Sequence, residues 1–134
     1  MTATPALTGP EMRRQLFGPN SDASLAKGAA AELVPDFNEF VDEHVFGGVW
    51  TDQRLELRYR SLVTISALVV LGREAQLRGH IAAGLRAGLT REEILGAVTH
   101  LAFYAGLPAT YSALETVRQA FGDIDAFGGD GGLQ

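Results

Sequence analysis

His100 and Tyr104 stand four residues apart in THLAFYAGLP (Thr99–Pro108), a run that is otherwise apolar until it meets Gly106 and Pro108. Side chains at i and i+4 of a helix share a face. The pair would then project two proton-carrying groups from a wall with little other polarity. A low local dielectric strengthens electrostatic contacts there and moves pKa values toward catalytic use. The same spacing also fits a packed helix whose His and Tyr only satisfy hydrogen bonds. The imidazoles of the chain are His44, His80 and His100. No HxxxH or HxxEH spacing links them, so the sequence points to no metal site. Cysteine is absent, which removes thiol nucleophiles, CxxC redox chemistry and thiolate metal sites. Lys27 is the only lysine, so a Schiff-base mechanism would have to use the N-terminal segment.

The elements that must position these groups read as helices. A chain of 134 residues, 46% hydrophobic and 20% charged, is expected to form one soluble globular domain. Its net charge of −5 and lack of a Lys/Arg run argue against nucleic acid and anionic membranes as partners. The start, MTATPALTGPEMRR, does not read as a secretory signal, and the longest apolar stretch, Ile65–Leu71, is far short of a membrane span. A cytoplasmic protein is expected.

Glu11–Phe17 reads as a short amphipathic piece between Gly9-Pro10 and Gly18-Pro19-Asn20. Ser21–Leu33 follows as a helix, and a further one opens at Pro35-Asp36 and stops at Gly47-Gly48. Asp52 is a candidate N-cap for a helix running to Leu71, closed by Gly72. The apolar SLVTISALVVL within it predicts a buried central helix. Arg73–Ala87 forms the next helix, with Gly88 just beyond its end. Thr90-Arg91-Glu92-Glu93 is a capping box opening a helix to Ala105, and Pro108 opens the last one, to about Phe121. No strand pattern survives, so the expected fold is all-α with about six helices. Residues 1–34 read as an N-terminal helical segment and 35–122 as the main domain. Residues 123–134 form a Gly-rich tail expected to be disordered. The apolar surplus on the Arg54–Leu71 and Thr90–Ala105 helices predicts a homo-oligomer.

With these helices placed, the chain resembles the carboxymuconolactone decarboxylase family from about Phe37 to Phe121. The blocks FGGVW (Phe46–Trp50), RSLVTISALVVLG (Arg60–Gly72), LRGHIAAGLRAGLTREEI (Leu77–Ile94) and THLAFYAGLP carry the resemblance. A weaker echo lies at Arg13–Gly18. The resemblance implies an all-helical fold assembled as a trimer or hexamer, commonly a ring-like hexamer. A sister branch, the alkylhydroperoxidase-D-like proteins, places a CxxC upstream of a histidine equivalent to His80. Here that segment reads Arg73-Glu74-Ala75-Gln76, so thiol peroxidase chemistry is excluded. The chain departs from the family at Gly48, where typical decarboxylases carry an acid within G-[DE]-x-W. It also lacks the Arg-Pro-Gly usual in the turn after Trp50.

The family substrate is a small butenolide with a carboxylate on the carbon bearing the ring oxygen. Loss of CO₂ leaves an electron pair that conjugates into the lactone carbonyl, so the substrate is its own electron sink and no cofactor is needed. The protein must anchor the acid, stabilise the oxyanion and deliver a proton to a ring carbon. Arg60 suits the anchor because guanidinium binds carboxylate bidentately; its bland alternative is a surface pair with Glu56. His80 is the expected proton donor, set among small residues one turn after Gln76. His100 and Tyr104 are candidates for the oxyanion donors. Trp50, His44 and Gln76 are candidate pocket residues. A proton-transfer isomerase, a cyclase or a lactone-opening enzyme would use the same pocket, and a non-catalytic oligomer binding a small acid is the remaining alternative.

Overall fold

The Thr8 hydroxyl accepts from the Glu11 N–H at 3.3 Å while the Glu11 carboxylate accepts from the Thr8 N–H at 2.9 Å. This capping box satisfies two free donors of the first turn and starts α1, Gly9–Phe17. The computed structural model describes residues 6–127, and every regular element among them is helical. The chain continues through α2 (Ser21–Ala26), α3 (Ala29–Leu33), α4 (Phe37–Val41) and a π-helix (Asp42–Val49). Then come α5 (Leu57–Leu71), α6 (Glu74–Arg86), α7 (Arg91–His100), α8 (Ala102–Ala105) and α9 (Leu107–Phe127).

The all-α expectation holds, with differences in how the helices are cut. Ser21–Leu33 is two pieces, parted at Lys27-Gly28, and the helix expected over Thr90–Ala105 breaks at Leu101. The Thr90–Glu93 capping box forms as predicted. Asp52 caps nothing. Its carboxylate accepts from the Arg54 backbone N–H at 2.9 Å and from the Arg54 guanidinium, so α5 starts only at Leu57. At the far end α9 runs past Phe121 to Phe127. Asp123 and Asp125 on its last turns accept from Arg78 of α6 and Arg91 of α7, which ties those turns down. The rest of the expected tail, 128–134, lies outside the described residues.

Two apolar clusters organise the molecule. The larger joins Ile65 and Val69 of α5, Leu77 and Ile81 of α6, Ile94 and Val98 of α7, and Ala113 and Val117 of α9. Burial of each large side chain there contributes about 1.5–3 kcal/mol. Gly72 turns α5 into α6 in the left-handed conformation, with φ 71°. The smaller cluster joins Met12 and Leu16 of α1, Trp50 and Ala83 of α6. Here α1 touches the π-helix backbone to backbone: a Cβ on Gly9 would sit 1.6 Å from the Asp42 carbonyl oxygen, and one on Gly47 3.0 Å from it. Only glycine permits that approach.

The expectation that α5 is buried all round is corrected. Ser61, Ile65 and Val69 are buried, whereas Val63, Val70 and Leu71 are exposed. Among the described residues the Ser61–Ile65–Val69 face of this helix is the one that is buried. Phe103 and Tyr111 are exposed as well. No helix among the described residues is long and apolar enough to cross a membrane.

Candidate active site

His80 projects from the face of α6 that meets α1, among Ala82, Ala83 and Gly84, which are all buried. Small neighbours let other elements come close to its ring. Phe17, the last residue of α1, packs edge-on against the imidazole with centroids 5.0 Å apart at 88°. Trp50 lies roughly parallel to it at 6.4 Å and 22°. Phe46 closes the group, edge-on to Phe17 at 5.9 Å and roughly parallel to Trp50 at 6.3 Å. The imidazole thus sits in an aromatic box built from α1, the π-helix and the residue that follows it.

The box sets the electrostatics of the histidine. Nδ1 is sealed from solvent and has no hydrogen-bond partner. Burial pushes the imidazole pKa below its ordinary value of about 6.5, because a low dielectric disfavours the cation. At neutral pH the resting ring is therefore neutral. A neutral imidazole against aromatic walls is poised to take up a proton when an anion arrives beside it.

Arg60, at the start of α5, lies against the loop that follows Trp50. Its Nη2 donates to the Asp52 carbonyl at 2.7 Å, and the Asp52 carboxylate is 3.9 Å away. The side chain is only 15% exposed, and its Nε is buried without a partner. Glu56, the expected surface partner, is taken by Arg58 at 3.2 Å instead. Asp52 itself is held at a pKa of about 2, first by the Arg54 hydrogen bonds and with a smaller contribution from Arg60. Arg60 is thus a half-satisfied guanidinium, with donors left for a carboxylate.

The remaining predicted residues do not join this group within the chain. His44 is exposed, its ring tilted at 48° against Phe40 with centroids 4.6 Å apart, and lies 3.8 Å from Glu43. Gln76 is exposed near the start of α6. His100 and Tyr104 do meet each other, with ring centroids 5.2 Å apart, as their i, i+4 spacing predicts. Both face solvent, and Tyr104 is 75% exposed. Their helices α7 and α8 pack chiefly on α5 and α9, whereas the His80 face of α6 packs on α1. Among the described residues no group of three His, Asp or Glu side chains is placed to hold a metal ion.

An open cavity of about 550 Å³ adjoins Trp50 and is lined also by Leu7, Met12, Gln15, Asp52 and Glu56. It is large enough for a small ligand, but its charged lining is acidic. Sequence reasoning missed Phe17 altogether and did not weigh Phe46. The signal for both was present: Phe46 opens the FGGVW block, and Phe17 lies in the Arg13–Gly18 echo.

The model of the carboxymuconolactone decarboxylase family matches residues 35–119. The chain belongs to that family. Within it, the chain is 39% identical over 89 residues to a 4-carboxymuconolactone decarboxylase of Acinetobacter baylyi, a stretch covering 66% of each protein. A protein of 15.0 kDa from the nqo9-nqo10 intergenic region of Paracoccus denitrificans is 33% identical over 99 residues, 72% of this chain and 74% of that one. A nitrosuccinic acid decarboxylase of Metarhizium robertsii is 27% identical over 118 residues, 87% of this chain and 80% of its own. That last stretch is longer than the family segment, so it takes in residues outside 35–119, where Phe17 also lies.

Proposed function

We propose that this member of the carboxymuconolactone decarboxylase family is a cofactor-independent decarboxylase of a small carboxylated lactone resembling 4-carboxymuconolactone. The observation that carries the reading is the packing of Phe17 and Trp50 on the half-buried His80 ring, with Phe46 behind them and Nδ1 sealed. The names of two relatives, each a decarboxylase of a small acid, support it. In this reading Arg60 offers its remaining donors to a substrate carboxylate. The aromatic walls keep water from the carboxylate on the carbon bearing the ring oxygen, which favours its loss as neutral CO₂. The electron pair left on carbon moves through the ring alkene into the lactone carbonyl. His80, protonated as the anionic substrate binds, then delivers its proton to the ring carbon.

The exposed apolar faces of α5, α8 and α9 support assembly as a homo-oligomer, with His100 and Tyr104 on or near the contact. Incubating the chelator-treated protein with 4-carboxymuconolactone tests the activity through loss of substrate absorbance and release of CO₂. A folded protein that leaves the lactone untouched overturns it.

Gly48 favours a second reading, a proton-transfer isomerase or lactone-opening enzyme using the same histidine. The position where typical family members carry an acid has no carboxylate here. An added Cβ at Gly48 would meet nothing closer than the Glu43 carbonyl oxygen at 3.8 Å, so a side chain fits. Decarboxylation that appears only in Gly48→Glu would favour this second reading for the natural chain.

A further inference from the structure

Arg13 lies on α1, one turn before Phe17, and is 6% exposed. Its Nε and Nη2 donate to the two oxygens of Asp42 at 2.8 and 3.0 Å, a bidentate fork. Its Nη1 donates to Ser21 Oγ at 2.8 Å and to Asp22 at 2.6 Å. Asp22 is also held by Arg14, so the distinctive partner of Arg13 is Asp42. Asp42 is the first residue of the π-helix, and Phe46 and Trp50 follow it at successive intervals of four. On one side of the fork Gly9 touches the Asp42 carbonyl. On the other, Phe17 meets Phe46 and His80.

We propose that Arg13 is a positioning residue for His80: through Asp42 it sets the register of α1 on the π-helix and so holds Phe17, Phe46 and Trp50 around the imidazole. The inference rests on the reading of His80 as the proton donor. Stability alone does not account for such a pair. Desolvation of a buried guanidinium offsets much of its attraction to a carboxylate, and apolar residues of the same volume serve the fold as well. Met12 and Leu16 already bury α1, yet apolar contacts tolerate small slides that a two-pronged fork does not. A slide along α1 shifts Phe17 against the imidazole edge.

Arg13→Lys and Asp42→Asn, each in the full chain, test the proposal. Lysine keeps the charge without the fork, and asparagine keeps the shape and one acceptor. Four readouts apply: cooperative thermal unfolding, NMR titration of the His80 ring, emission of Trp50 (the sole tryptophan) and steady-state kinetics on 4-carboxymuconolactone. Both variants are expected to fold, with the His80 pKa raised toward its ordinary value and Trp50 emission shifted to the red. Turnover should fall by about ten- to a hundredfold with little change in KM. Ser21→Ala, which spares the fork, should leave the titration and emission as they are. A lower melting temperature with His80 titration and Trp50 emission unchanged in both variants overturns the proposal and leaves Arg13 a brace. Loss of folding in Asp42→Asn overturns it too, because an isosteric change at a positioning contact leaves the core intact. A natural chain inactive on the lactone defeats the assigned reaction, while titration and emission still decide the positioning.

Discussion

His80 lies in the middle of α6 and His100 ends α7, each on a turn rich in small or apolar residues, and the fold treats them in opposite ways. His80 faces α1 and the π-helix, where the rings of Phe17 and Trp50 pack on its imidazole and Nδ1 is sealed from solvent. His100 faces outward with the Tyr104 ring tilted against it at 33°, beside Phe103, which is 92% exposed. The first environment depresses a pKa and leaves a nitrogen unpartnered. The second offers an imidazole and a phenol at a surface where water can solvate both. Polar groups that meet through i, i+4 spacing are therefore not yet a site. What makes a site is a second element brought against that face.

The comparison breaks most directly at His80 itself. His80→Ala should lower kcat on 4-carboxymuconolactone by roughly two to four orders of magnitude, with unchanged circular dichroism showing that the fold survives. Arg60→Met comes next: losing charged hydrogen bonds to a substrate carboxylate should raise KM by roughly ten- to a hundredfold, with a smaller effect on kcat. An unchanged KM would move the anchor elsewhere.

The box can be sharpened through its pH dependence. The folded pKa of His80 lies below its unfolded value of about 6.5, so the unfolded chain binds the extra proton first. The stability that His80 contributes is complete above 6.5 and is lost as pH falls through the depressed pKa. In the proposed reaction His80 acts as the imidazolium, so kcat/KM should decline as pH rises through that same pKa. Phe17→Ala opens the box. It should move the kinetic limb upward in pH and cost about 1.5–3 kcal/mol of stability, read from denaturant midpoints. The smallest effects belong to the exposed pair. His100→Ala and Tyr104→Phe should each change kcat/KM by less than about threefold and stability by about 0.5 kcal/mol or less in the separated subunit. A hundredfold loss for either would place that pair in the chemistry.

Much of the fold was legible because it rests on local rules. Thr90 and Glu93 cap a helix through their own hydrogen bonds, and Gly72 ends one by adopting a left-handed turn. Neither needs anything distant. Asp52 does not cap α5 because Arg54, two residues on, takes its carboxylate. The apolar run of α5 predicts a buried central helix, but periodicity counts apolar positions and not the neighbours available to cover them. The contact of His100 with Tyr104 follows from i, i+4 spacing, whereas its exposure does not. Trp50 and His80 could be named from their blocks. Their enclosure depends on Phe17, reached across the chain through α1, and no spacing within one helix encodes that.

The contact of Gly9 with the Asp42 carbonyl bears on how the chain can be inherited. The family segment begins at residue 35, but this contact and the wall supplied by Phe17 straddle that border. Recombination that joins residues 35–119 to another leader would bring a side chain into the Asp42 carbonyl unless the newcomer supplies glycine at that same place. Gly9 is thus expected to be exchanged only together with the segment that carries Asp42 and Gly47.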